Sequence, residues 1–143
     1  MFEVAIRCEG GDFLTITVFG RSHTGNTDYY DGNWVRAAVE VSAGGFRGEV
    51  SGDLRAEELA AFAEQLTRLQ ESLQGEAAFN TMEGWLSLRV VGDGRGHMTF
   101  RCVIRDEPGN TLECELATDQ TFTRSTVAEL AAVVQGVPVV GRP

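Results

Sequence analysis

The chain has 143 residues, 43% hydrophobic and 23% charged, and its twenty-one acidic residues outnumber the twelve basic ones for a net charge of −9. One domain of that length buries roughly 68–70% of its unfolded surface, so residues 1–143 are expected to fold as a single domain without staples. The charge makes nucleic acid or an anionic membrane a poor partner and a basic protein a good one, although acidity also serves solubility alone.

Seventeen glycines and three prolines point to turns and bulges rather than to a linker. The opening MFEVAIRCEGGDF lacks the basic and apolar regions of a secretory signal. No apolar run approaches the roughly 20 residues of a membrane span. A cytoplasmic location is the expectation.

Phe2, Val4, Ile6 and Cys8 alternate with Glu3, Ala5 and Arg7, a period of two that marks a strand. Gly10-Gly11-Asp12 turns the chain into a second strand, Phe13 to Phe19. Gly20 to Gly32 has no apolar period and reads as a long loop, and long loops are more often functional than short ones. From Trp34 a strand presents Val35, Ala37, Val39 and Val41 on one face, and Gly44-Gly45 returns it through Phe46, Gly48 and Val50.

Asp53 to Leu73 reads as a helix, with Leu59, Phe62, Leu66, Leu69 and Leu73 on one stripe. Gly75 is its expected stop, and its cap is unclear because Asp53 is early and Arg55 caps poorly. Ala77 to Asn80, Trp85 to Val91, His97 to Arg105 and Thr111 to Thr118 follow as strands. A second helix is expected from Thr123 to Gln135, burying Val127, Leu130, Ala131 and Val134, and the VPVV tail then adds edge contacts.

Laid side by side, Gly32-Asn33-Trp34 and Gly84-Trp85-Leu86 each start a strand and hairpin, which suggests a loose two-fold repeat with Trp34 and Trp85 as equivalents. The expected class is therefore α+β. It consists of a mainly antiparallel sheet of seven or eight strands with two helices packed on one face.

No arrangement of reactive residues rises above its bland reading. His23 and His97 have no local ligand spacing, and Cys8, Cys102 and Cys114 all sit on apolar faces, as buried thiols do. Asp28, Asp31 and Glu83, like Asp106 and Glu107, read first as turn formers. Gly92-Asp93-Gly94-Arg95-Gly96 joins two strands, whereas a phosphate loop opens a helix. No catalytic, cofactor or metal residue is assigned. Tyr29, Tyr30 and Trp34 beside Asp28 and Asp31 suggest an interface, where Tyr and Trp concentrate; the alternative is that Trp34 packs at the sheet margin and the tyrosines pin a long loop.

Several stretches, in order along the chain, resemble the WapI-type immunity proteins of bacterial polymorphic-toxin systems. They are Thr27 to Trp34 (TDYYDGNW), Gly45-Phe46-Arg47-Gly48, Leu54 to Leu59 (LRAEEL), Glu83 to Leu86 (EGWL), Gly92 to His97 (GDGRGH) and Asp119-Gln120-Thr121. The resemblance implies a cytoplasmic, non-enzymatic protein that neutralises a cognate toxin by binding it. Arg55 stands where Ser or Thr would cap the helix, a departure that bears on stability.

The leading expectation is an acidic binding protein facing a cognate toxin, plausibly a basic nuclease domain, with Asp28, Tyr29, Tyr30, Asp31 and Trp34 as contact residues. The alternative is a small-ligand-binding or housekeeping domain, which a deep apolar pocket would favour. An enzyme would need Asp28, Asp31, Glu83 and a histidine in one cleft.

Overall fold

Alternation of apolar and polar residues is realised in eight strands of a computed structural model that describes residues 1–143. Strands β1 (Phe2–Arg7), β2 (Phe13–Arg21), β3 (Trp34–Ala43) and β4 (Phe46–Arg55) form one antiparallel sheet in chain order. Strands β5 (Gln74–Asn80), β6 (Leu86–Asp93), β7 (His97–Arg105) and β8 (Thr111–Asp119) form a second. Helix α1 is a single turn, Tyr29–Gly32, while α2 (Ala56–Ser72) and α3 (Gln120–Gly136) have 17 residues each.

The expected single sheet is thus two sheets of four strands, and the expected pair of helices is three. The helices do not cover a face, because the sheets cover each other. Inward residues of both sheets join the buried stripes of α2 and α3 in one 29-residue core cluster. The strands of the two sheets cross: a Cβ on Gly48 would touch Leu112 at the start of β8, and one on Gly52 would strike Trp85 just ahead of β6.

Each long helix lies along an outer strand, α2 beside β5 and α3 beside β1. Edge strands carry unpaired amides, and here helix side chains take them. Glu129 accepts the Ala5 N–H at 3.0 Å, Thr126 donates to the Ala5 carbonyl at 2.7 Å, and Gln65 accepts the Ala78 N–H at 2.9 Å. This explains a misplaced face on α3. The stripe expected at Val127, Leu130, Ala131 and Val134 is instead Thr123, Thr126, Leu130 and Val133, with Ala131 exposed. A helix on a strand edge needs hydroxyls where one on a sheet face needs only methyls.

Other boundaries move for similar reasons. Asp53, Leu54 and Arg55 belong to β4, not to the helix, since Leu54 is fully buried opposite Val35. α2 ends at Leu73 in the left-handed conformation (φ 63°) rather than at Gly75, which is already in β5. The tail forms no strand. Trp34 and Trp85 are not equivalent: Trp34 opens the third strand of its sheet half-exposed, whereas Trp85 precedes the second strand of the other and is buried. Each half does run four strands and then a 17-residue helix.

The tight turns carry a pH dependence. The side-chain amide of Asn110, followed by backbone N–H groups, holds the Asp106 carboxyl below its usual range. The Arg95 N–H and then the His97 ring do the same for Asp93. With the folded pKa below the unfolded value, this stabilisation is complete above the unfolded pKa of about 3.9 and is lost as pH falls through the folded one. The D93N/D106N double variant is therefore expected to lose less stability than wild type as pH falls below about 4, measured by urea midpoints across pH.

Candidate functional site

The aromatic stretch folds into α1 because Asp28 caps it, its Oδ2 accepting the Asp31 N–H at 2.9 Å. Gly32 is obligatory, since a Cβ there would lie 2.8 Å from the Asn26 carbonyl oxygen. Asn33 follows, fully buried, donating to the Tyr29 and Val140 carbonyls at 2.9 Å and accepting the Val140 N–H at 2.9 Å. The C-terminal tail is thereby tied to this turn. Arg21 strengthens the tie by donating to the Gly32 carbonyl at 2.6 Å and to the Pro138 carbonyl.

Arg55 is the centre of the arrangement. Its side chain is 4% exposed. It donates to the Tyr30 carbonyl at 2.5 Å, the Tyr29 carbonyl at 2.7 Å and Glu57 Oε1 at 2.5 Å. Its guanidinium lies 4.9 Å from the Trp34 ring centroid and 5.4 Å from that of Tyr29, within cation–π range. The sequence marked this residue only as a poor cap. An Arg where Ser or Thr belongs, with two aromatics upstream, was the signal.

At the start of α2, Glu58 accepts the Arg55 N–H at 2.7 Å, one half of a capping box. The guanidinium has no lone pair with which to supply the other half. Burial raises the Glu58 pKa, opposed by the Arg55 and Met82 amides. Glu57 Oε2 is buried without a partner, so that carboxylate depends on Arg55 alone.

The five expected contact residues thus separate into two groups. Tyr29 and Trp34 are half-buried against Arg55, while Asp28, Tyr30 and Asp31 are exposed, Tyr30 at 64%. Met82, 68% exposed, adds an apolar side chain that the sequence reading passed over. Ser22, His23, Trp34, Arg36, Asp53 and Glu83 line an adjoining concavity of about 300 Å³. It brings Glu83 to a histidine but does not include Asp28 or Asp31. Nowhere do three metal-ligating side chains converge. Burial also raises the pKa of all three thiols, Cys102 most of all, which favours the unreactive protonated form.

Two concavities of about 490 and 500 Å³ are open, and the first has a single hydrophobic residue, Trp85, in its lining. No helix is long and apolar enough to cross a membrane.

A model of the Immunity protein WapI-like family matches residues 5–138. No curated protein and no solved structure matches the chain.

Proposed function

We propose, on the premise that the chain belongs to the WapI-like immunity protein family, that it neutralises a cognate bacterial toxin by direct binding rather than by catalysis. The observation that carries this is the extent of the match, which takes in β2 to β8 and all three helices. A net charge of −9 suits a basic toxin domain, such as a nuclease, and would steer it into contact. Such a pairing operates in the cytoplasm, where an incoming toxin acts.

Asp28, Tyr30 and Asp31 form part of the contact surface, held in place by Tyr29 and Trp34 beneath. Tyr30 reaches Arg55 through its backbone carbonyl and sets its ring edge-to-face against Tyr29 at 5.5 Å, while the residue stays 64% exposed to a partner. Tyr30→Ala is expected to weaken toxin binding about tenfold, as an aromatic anchor does, and to lower stability by no more than about 1 kcal/mol through loss of the edge-to-face contact with Tyr29. Calorimetric titration with the toxin domain and a denaturation curve of the free protein check the two parts.

The function itself is tested by co-expressing the protein with the toxin encoded beside it. Rescue of growth and a complex on gel filtration are expected; unchanged killing with no complex would end this reading.

A further inference from the structure

One side of the sandwich is closed by α2 and α3, which pack together through Gln70 and Gln120 at 2.8 Å. The opposite side is not. There β4 is the outer strand of its sheet and pairs only with β3. The β3–β4 turn has two residues, Gly44 and Gly45, with Ala43 opposite Phe46. In such a hairpin the flanking pair is hydrogen-bonded, and pairs alternate from it. The amides of Gly48, Val50 and Gly52 therefore point to β3, and those of Arg47, Glu49, Ser51 and Asp53 point outward. The Asp53 carbonyl confirms the phase, because the Trp85 indole N–H reaches it from outside the sheet at 2.7 Å. The outward groups of Arg47, Glu49 and Ser51 have no protein partner.

Two concavities adjoin along this edge, of about 490 Å³ at Ser51–Gly52 and about 200 Å³ at Arg47–Val50. Asp106 lines both, so they form one trough between β4 and the β7–β8 turn. Glu49, Glu83, Asp106 and Glu107 line it against only Arg47 and Arg105.

We propose that the β4 edge from Arg47 to Ser51 is a docking line for an extended basic segment of the toxin, which joins the sheet as a fifth strand. This rests on the immunity reading and names the surface it uses. An open edge supplies backbone hydrogen bonds to any strand, and the side chains beside it select which one. Alternate side chains of the incoming strand would meet Glu49 on the outer face. On the inner face they would meet Val50, Ile104, Leu112 and the acidic turn at Asp106 and Glu107. A second copy of this chain is a poor occupant, because it would bring Glu49 and a −9 surface against their like.

Ser51→Pro tests the edge directly. It removes only an outward N–H, a change that edge strands accept, whereas Ser51→Ala keeps the amide. Against the toxin domain encoded beside the gene, the proline variant is expected to bind about tenfold or more weakly and the alanine variant like wild type. Amide hydrogen exchange on the wild-type complex decides the point even if the proline variant unfolds. Exchange at Arg47, Glu49 and Ser51 should be fast in the free protein and slow in the complex. A wild-type complex in which these amides stay fast, or which the proline variant forms equally well, overturns the edge and leaves the immunity reading standing. Failure of wild type to bind overturns both. Concentration-dependent protection of these amides in the free protein would assign the edge to self-pairing and also overturn the proposal.

Discussion

Arg55→Ala is expected to destabilise the protein by about 3–5 kcal/mol, the range seen when one partner of a buried ion pair is removed. Truncation strands two kinds of group at once. The Tyr30 carbonyl loses its donor, whereas the Tyr29 carbonyl keeps Asn33. Glu57 loses its only counter-charge while its Oε2 remains buried and unpartnered. The guanidinium's contacts with the Trp34 and Tyr29 rings disappear as well. Arg55→Lys should recover little, because an ammonium neither forks to two carbonyls and a carboxylate nor lies flat on a ring. Replacing Glu57 by Gln in the alanine background should recover part of the loss, since no buried charge is then left alone. Urea midpoints of the four proteins give the measurement. A loss below about 1 kcal/mol for Arg55→Ala would show that the turn is held by something else. The exposed Arg68–Glu64 pair, with both side chains about two-thirds exposed, is the internal contrast and should be worth no more than about 0.5 kcal/mol.

Arg55 also shows where sequence reasoning reached its limit. A period of two or 3.6 reports which side chains face a core, and the eight strands, both long helices and nearly all their inward residues follow from it. It does not report where backbone groups find partners. The residues misread are those whose task is to make buried hydrogen bonds: Arg55 and Asn33 to main chain at the α1 turn, Thr126 to the Ala5 carbonyl and Thr123 to the Gln70 side chain on the buried face of α3. The division into two sheets escaped for a related reason, because alternation is the same whether the next strand extends a sheet or faces it.

The candidate loop was legible as composition and half legible as role. Thr27 to Trp34 looked like more than core construction required. Tyr29, Gly32, Asn33 and Trp34 also serve construction, tied by Arg55, Arg21 and the tail at Val140. Asp28, Tyr30 and Asp31 remain as surface whose internal uses are the cap and the edge-to-face contact of Tyr30 with Tyr29. A rigid support beneath exposed aromatic and acidic groups suits binding, because little conformational freedom is lost when a partner arrives.

Trp85→Ala should be as damaging as the loss of Arg55, at about 3–5 kcal/mol, for a packing reason rather than an electrostatic one. The indole is 8% exposed and lies directly on the backbone of β4. Its Cε2 is 2.5 Å from where a Gly52 Cβ would stand, so glycine is what allows the contact. It is the large side chain that fastens the second sheet to the first on the side no helix closes. Trp85→Phe keeps most of the packing but not the bond to the Asp53 carbonyl, and should lose only about 1 kcal/mol beyond the smaller ring. Gly52→Ala attacks the same contact from the other strand and should lose about 1–3 kcal/mol by displacing the indole. Because the two substitutions remove one shared contact, the double variant G52A/W85A should be clearly more stable than the sum predicts. Additive losses would mean that Trp85 and Gly52 act independently and that the sheets are fastened elsewhere. Trp34→Phe as a background leaves Trp85 the sole tryptophan, and a red-shifted emission in G52A would show directly that the indole has left β4.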